Sequence, residues 1–347
     1  IFNCDQLDFI IAFLACLRSG MIATPIAAPN PAPHRQRKDI ENIHQILKKA
    51  QPSIIITESN TIKECLAVEN CILFNEIPST SVVRAQAQYL MPEDIAFLQF
   101  TSGTTGPPKG VMIGHSQICA NLDAMIMRMN SLNQSPLTIN HIVNWMPWYH
   151  DMGLISGILL PLRLLITGVL IPPKTFIKSP LFWLKTISHH PNALSGGPNF
   201  AYALCHKRAS HQTNLSLDLS TWRLAFAGAQ MVFESTFNQF STTFSPAGFN
   251  PNIFYPCYGL AESTLYVTGA CHMQEPQFKH QAQSLNYEKL CSVGSQLPNH
   301  EIIIVNPSTK ETQGERVLGE IWIKGPSVAR GYHHEPELSQ DTFNAHT

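Results

Sequence analysis

Apolar residues recur near the start of the chain at helical spacing. Leu7, Ile10, Ile11, Leu14 and Leu17 share one face, and Gly20 follows as a stop. That spacing predicts a helix, with a short strand over 21–27 after it. Ile40, Ile43 and Leu47 mark a second amphipathic helix closed by Gln51-Pro52. Ser53-Ile54-Ile55-Ile56-Thr57 is an unbroken β-branched run of the kind that suits a buried parallel strand.

Farther on, 95–100 and 111–113 read as strands, 116–129 as a helix and 140–145 as a strand. A buried helix ending near Pro161 is expected next, then a strand over 168–171. Helix 182–189, strand 193–197 running into a tight turn, strand 223–226, helix 234–243 and strand 252–255 continue the alternation. Such a series argues an α/β fold of layered, mostly parallel sheet with helices on its faces. The character changes near the end. Residues 301–305 and 319–325 are apolar segments separated by polar residues without a helical pattern, which predicts an antiparallel hairpin in a smaller β-rich lobe. The expected organisation is a first α/β lobe over 1–92, a second over 93–290 and the β-rich lobe over 291–347, with no closing element before Thr347. No internal repeat appears.

At 347 residues and 44% hydrophobic, the chain can bury a large core. Charged residues make up 14% and the formal net charge is −1, with no basic cluster. A nucleic-acid partner is therefore not expected, since phosphate backbones demand concentrated positive charge. The nine cysteines are scattered without a C-x-x-C, and neither His189-His190 nor His333-His334 has metal-ligand spacing. Free thiols in a reducing, cytoplasmic setting follow. No signal peptide is visible, and a start at Ile1 reads as a fragment. The apolar run over 152–172 imitates a membrane span. Pro161, Arg163, Gly153, Gly157 and Gly168 interrupt it, and a central arginine costs about 2.5–3.5 kcal/mol on insertion scales. No membrane span is expected.

Between the strands at 95–100 and 111–113 lies Thr101-Ser102-Gly103-Thr104-Thr105-Gly106-Pro107-Pro108-Lys109-Gly110. Glycine amides approach an anion closely, the hydroxyls add donors, and Lys109 adds a mobile positive charge. This is the chemistry of a triphosphate clamp. A Walker P-loop would place its lysine here too, but Pro108 stands where it has Gly, and Gly110 where it has Ser or Thr. A solvated linker is the other reading, and linkers rarely sit between two apolar strands. Tyr258-Gly259-Leu260-Ala261-Glu262 comes second. Its tyrosine offers a face to a purine and Glu262 a hard carboxylate to Mg²⁺. Taken alone, it also fits a core tyrosine, a turn glycine and a surface glutamate.

The ten positions from Thr101 to Gly110 resemble the AMP-binding signature of the adenylate-forming superfamily, and the resemblance extends over essentially the whole chain. The superfamily carries Y-G-x-T-E at the second motif. Leu260-Ala261 departs from it toward the Y-G-L-A-E form of fatty acyl-AMP ligases. Phe226-Ala227-Gly228-Ala229 falls where the superfamily runs its backbone along adenine. Trp148-Tyr149-His150-Asp151-Met152-Gly153-Leu154 resembles the ligases' histidine-bearing segment, in which His150 would orient the carboxylate or line the acyl channel. A hydrogen-bonded core histidine is the alternative. Gly196-Gly197-Pro198-Asn199-Phe200-Ala201-Tyr202 also follows the ligase pattern. The interval over 273–290, with Ser284-Leu285-Asn286-Tyr287, resembles the insertion that marks acyl-AMP ligases, although a surface loop tolerates extra length as well.

The resemblance implies ATP and Mg²⁺ as cofactors and a fatty acid as substrate. The product would be an acyl-adenylate, passed to an acyl carrier protein or to a carrier domain of a polyketide or peptide synthase. It assigns Lys109, His150 and Glu262 to catalysis and Glu262 to the metal. Thr101, Ser102, Gly103, Thr104, Thr105, Gly106, Lys109, Gly228, Ala229, Tyr258, Gly259, Leu260, Ala261 and Glu262 would hold the nucleotide. The superfamily's ribose-binding aspartate and C-terminal catalytic lysine are expected beyond Thr347. An acyl-CoA synthetase shares every ATP motif, and a non-catalytic nucleotide- or acyl-binding module is the alternative of another class.

Overall fold

In the computed structural model the described residues are 1–2, 6–30, 33–66, 70–77, 89–101, 106–131, 137–210, 216–270, 274–279 and 289–346. Helices α1 (Gln6–Ser19) and α2 (Pro33–Ala50) form where the apolar spacing placed them. Gly20, at φ 73°, takes the left-handed conformation that ends α1. Residues 21–27 do not form the expected strand. They make two isolated bridges, Ala23 to Phe97 and Ile26 to Phe2. Pro25 removes a ladder donor between them. Strand β1 (Ile55–Thr57), helix α3 (Asn60–Leu66) and strand β2 (Cys71–Leu73) then form a small parallel unit.

Strands β3 (Ile95–Thr101) and β4 (Lys109–Gly114) pair antiparallel, from Ile95 opposite Gly114 to Thr101 opposite Lys109. The two strands that flank the signature thus form an antiparallel pair. Helix α4 (His115–Ser131) follows directly. Next come β5 (His141–Asn144), α5 (Leu160–Leu164), β6 (Thr167–Leu170), α6 (Pro173–Lys178), α7 (Pro180–Ser188) and β7 (Ala193–Gly197). After these, α8 (Asn199–Ala209), β8 (Leu224–Ala227), α9 (Glu234–Phe244), β9 (Phe254–Gly259) and β10 (Tyr266–Gly269) complete the centre. The short strands β11 (Phe278–Lys279), β12 (Leu290–Cys291) and β13 (Ser295–Gln296) lead to the hairpin β14 (Glu301–Val305) and β15 (Glu320–Lys324). The hairpin pairs antiparallel as expected.

The main sheet has seven strands in the order β6-β5-β7-β8-β9-β10-β13. It is parallel from β6 to β9 and antiparallel beyond. Period-two alternation feeds two cores. Val143, Ala193, Ala225 and Phe254 enter an aromatic cluster with Trp183, Tyr202, Trp222 and Phe240. Their neighbours Ile142, Leu194, Leu224 and Tyr255 enter a second cluster with Phe97, Ile113, Leu122, Leu154 and Ile158.

The buried helix expected to end near Pro161 instead runs on to Leu164. Its first part, Met152–Leu159, is a π-helix, buried throughout. Side chains enter its carbonyl ladder. Ser156 Oγ donates to Met152 O at 2.5 Å, and Asn144 Nδ2 donates to Gly153 O at 3.1 Å. Pro161 falls where the π-helix passes into α5, so it removes one N–H from the helix without ending it. Helix α10 (Pro336–Phe343), absent from the sequence expectation, closes the described chain. Among the described residues no helix is long and apolar enough to cross a membrane.

Candidate active site

The last pair of the β3–β4 hairpin is Thr101 opposite Lys109. Ser102, Gly103, Thr104 and Thr105 lie outside the described residues. Lys109 Nζ stands 5.1 Å from the centroid of the Tyr332 ring, a cation–π distance. The Tyr332 hydroxyl donates to Glu262 Oε1 at 2.8 Å. Lys109 and Glu262, the two charged residues singled out in the sequence, thus face one tyrosine that sequence reasoning missed. No periodicity marks Tyr332, and only its place after Gly331 sets it apart.

Tyr332 reaches this position because residues 329–333 run beside β4. Arg330 N–H donates to Met112 O at 3.0 Å, Met112 N–H to Gly331 O at 2.9 Å, and His333 N–H to Gly110 O at 2.8 Å. The same segment holds the other motif, since Ala329 N–H donates to Glu262 O at 2.8 Å. Gly331 has φ 128°, and a Cβ there would stand 2.9 Å from Ser339 Oγ, so the segment needs glycine at that point. Burial, and then the bond to Glu262, push the Tyr332 hydroxyl well above its ordinary pKa, so it remains a donor.

Glu262 lies in a short turn after β9. Thr264 follows with φ 69° and ψ −58°, and Leu265 N–H donates to Ser263 O at 2.8 Å. This is a γ-turn of the strained hand, rare for a β-branched residue, and costs about 1–3 kcal/mol. Thr264 Oγ1 secures it by donating to Ser327 O at 2.7 Å. The turn brings Leu265 O to 1.7 Å from where a Cβ on Gly259 would stand, so residue 259 has room for glycine alone. Tyr258 is half-buried, and burial followed by the charge of Glu262 raises its pKa.

A cavity of about 290 Å³ runs along the strands on one face of the sheet. Gly228, Ala229, Tyr258 and Gly259 line it where β8 and β9 end. Leu194, Leu224 and Tyr255 line it toward the strand starts, with Met125, Met129, Leu160 and Leu265 completing an apolar wall. Ala229 holds φ 61°, a conformation uncommon outside glycine and frequent at functional sites. The Cys257 thiol in this wall is pushed up to about 12 by burial, which keeps it from acting as a nucleophile at neutral pH. A wider cleft of about 1120 Å³ lies beside the cavity, bordered by Gln99, Thr101, Pro108, Trp148, Tyr149, Lys174 and Ala261.

His150 and Asp151 line both spaces. His150 Nδ1 is 2.5 Å from Asp151 Oδ1, and this bond raises the imidazole pKa against the opposing effect of burial. Asp151 Oδ1 also accepts the Met152 N–H at 2.6 Å, capping the π-helix. Leu260 carries the extended backbone that ends β9 and leads into the turn, and Ala261 is buried within that turn. Gly106 borders open space.

Among the described residues no group of three or more His, Cys, Asp or Glu gathers in the manner of a metal cage. A single carboxylate at Glu262 suits Mg²⁺, which retains water and is commonly shared between one or two carboxylates and phosphate oxygens.

A family model described as AMP-binding enzyme matches residues 4–333. This chain belongs to the AMP-binding enzyme family. A medium-chain-fatty-acid acyl-carrier-protein ligase of Teredinibacter turnerae is 38% identical over 267 residues, covering 73% of this chain and 41% of that protein. A long-chain-fatty-acid–AMP ligase of Mycobacterium marinum is 31% identical over 362 residues, covering 98% of this chain and 61% of that protein. The crystal structure of a fatty acyl-adenylate ligase from L. pneumophila, in complex with acyl adenylate and pyrophosphate, superposes with a TM-score of 0.87 at 35% identity. That match covers 98% of this chain and 61% of the ligase. The chain thus spans less than two thirds of the length of each of these proteins. The likeness to the adenylate-forming superfamily inferred from Thr101–Gly110, and to its acyl-AMP ligases inferred from Tyr258–Glu262, is borne out.

Proposed function

We propose that the chain is the nucleotide- and acyl-binding part of an AMP-forming fatty acid ligase. The observation that carries this reading is the position of His150 and Asp151, which line both an apolar cavity and an open cleft. A fatty chain in the cavity would present its carboxylate at the junction, and a triphosphate in the cleft would present its α-phosphate there. A carboxylate oxygen then attacks the α-phosphorus and the bond to pyrophosphate breaks, leaving acyl-adenylate. Both reactants are anionic, so the chemistry depends on neutralising charge. Lys109 would supply a donor on the triphosphate side. When bound, Mg²⁺ would be held by Glu262 and would offset charge on the phosphate oxygens. Gly228, Ala229 and Tyr258 would border the adenine. His150, with its proton stabilised by Asp151, would orient the carboxylate.

The relatives, named as fatty acid ligases acting on acyl carrier protein or forming acyl-AMP, support a fatty acid as substrate and a carrier protein as acceptor. The free cysteines Cys16, Cys71, Cys119, Cys205, Cys257 and Cys291 agree with a cytoplasmic setting. The three-part division at 92/93 and 290/291 stands as part of the same proposal. For the acceptor, the stretch over 273–290 carries the argument. Residues 273 and 280–288 lie outside the described residues, but the flanks of 280–288 are docked on α9. Phe278 meets Phe237 at 5.8 Å between ring centroids, and Lys289 pairs with Glu234 at 2.8 Å. Leu290 bridges Phe233.

The test is an assay of the full-length protein with ATP, a panel of fatty acids, CoA and carrier protein in parallel. Pyrophosphate release dependent on fatty acid, with acyl transfer to the carrier and little acyl-CoA, is expected. Acyl-CoA formation at a rate comparable to carrier loading would instead favour an acyl-CoA synthetase. Absence of acyl-dependent pyrophosphate release would overturn the ligase reading. Deleting 276–286 should let acyl-CoA accumulate.

A further inference from the structure

Lys109 and Glu262 bring opposite charges to one tyrosine side chain, and two such side chains left to themselves tend to pair. In this structure they do not pair with each other. Tyr332 stands between them, its ring face toward the Lys109 ammonium and its hydroxyl toward Glu262 Oε1. We propose that Tyr332 is a positioning residue that keeps the two charges apart and presents both to one ligand. This rests on the reading of Lys109 as a triphosphate contact and Glu262 as a Mg²⁺ contact.

The chemistry singles out tyrosine. An aromatic face attracts a cation, and a phenolic hydroxyl donates to a carboxylate, in different directions from one rigid side chain. Phenylalanine supplies the first contact alone and leucine supplies neither. The ring is well fixed. Tyr332 is 4% exposed, Phe343 meets it edge-on at 5.2 Å, and its backbone N–H donates to Ser339 Oγ at 2.8 Å. The hydroxyl, which also meets the Thr342 side chain, donates to Oε1 of Glu262 and leaves Oε2 to a ligand. That suits Mg²⁺, whose near-ideal octahedron takes single oxygens and keeps its remaining sites for water and phosphate. The segment that delivers Tyr332 is bonded to β4 on one side and to the Glu262 backbone on the other. One residue therefore couples the positions of both motifs.

The experiment compares the wild-type full-length protein with Tyr332→Phe and Tyr332→Leu. ATP binding is measured at equilibrium without fatty acid, across a Mg²⁺ series and in EDTA, alongside thermal unfolding. For Tyr332→Phe, the Mg²⁺ concentration that half-saturates the effect on ATP binding should rise about tenfold, as expected for a lost hydrogen bond to a charged group. Its affinity for metal-free ATP should stay at the wild-type value, because the ring still lies against Lys109. Tyr332→Leu should weaken metal-free ATP as well. The proposal is overturned if the Mg²⁺ series of Tyr332→Phe overlays wild type. It is equally overturned if Tyr332→Phe only lowers the unfolding temperature, or loses metal-free and Mg²⁺-bound ATP alike. The Phe variant alone decides the matter if the Leu variant fails to fold. Failure of the wild-type protein to bind ATP would remove the proposed function together with this inference, and so differs from failure of the variant comparison.

Discussion

Trp183 and Thr264 are both almost fully buried, and they sit in opposite kinds of surroundings. Trp183 meets Tyr202 and Trp222 at 5.6 Å, Phe176 at 5.8 Å and Trp145 at 6.1 Å, each edge-on. Its indole N–H donates to Ser195 Oγ at 2.8 Å. Every part of that neighbourhood is relaxed side-chain packing of the kind that stabilises a fold. Thr264 holds a strained backbone, and its surroundings are held mainly by hydrogen bonds to main chain, at Ser263 O, Ala261 O and Ser327 O. Strain of this sort persists where the surrounding structure over-determines it. The aromatic side of the sheet supplies stability, and the turn after β9 spends part of it to place Glu262.

On that division, the largest single effect on stability lies far from the cleft. Trp183→Ala should lower the unfolding free energy by about 3–5 kcal/mol, read as a lower urea midpoint. Loss of ATP affinity with an unchanged midpoint would dissolve the contrast.

Lys109→Ala should do the reverse. The lost charge-assisted phosphate contact corresponds to about 1.5–3 kcal/mol of ATP affinity, while the urea midpoint stays put. Unchanged ATP binding and unchanged pyrophosphate release would sink its assignment. Glu262→Gln sharpens the same side more gently. The amide keeps the shape and can still accept from Tyr332, but a hard cation prefers the charge. The Mg²⁺ requirement should rise several-fold and adenylate formation should slow. A Mg²⁺ titration that overlays wild type would make Glu262 structural.

The smallest effect concerns His150. Its bond to Asp151 raises the folded-state pKa, so an NMR titration should place the midpoint above the ordinary value of about 6.5. Asp151→Asn should bring it down. The sign of the linkage follows: the contribution to stability is fully present below the ordinary pKa and is lost as pH rises through the raised one. The stability difference between wild type and Asp151→Asn should therefore shrink as pH climbs through that window. A His150 midpoint indifferent to Asp151→Asn would remove the pair as a proton-holding unit.

Periodic segments were legible without coordinates. The α1 and α2 stripes, the β3 and β4 runs flanking the loop, and the β14–β15 hairpin all follow from local spacing. Legibility failed where long-range contact decides local form. Residues 21–27 have strand-like composition, but Pro25 and the exposure of Met21 and Ile22 leave them as two bridges. Helix α10 has few apolar positions, and its Phe343 is used against Tyr332. Pro161 looked like a helix stop because π-turns, and the side chains that open them, are set by partners such as Asn144.

The sequence by itself determined the local chemistry: which loop is rich in small residues and hydroxyls, which lysine ends it, and which glutamate follows a strand-end tyrosine and glycine. Those properties belong to residue types at short spacing, so they survive without a fold. Only the tertiary structure decided that Lys109 and Glu262 share one aromatic ring, and that His150 stands where an apolar cavity meets an open cleft. The reason is physical. Cation–π contact, hydroxyl donation and cavity walls act within a few ångströms of space, and no short-range pattern in the chain announces that residues 109, 262 and 332 will meet.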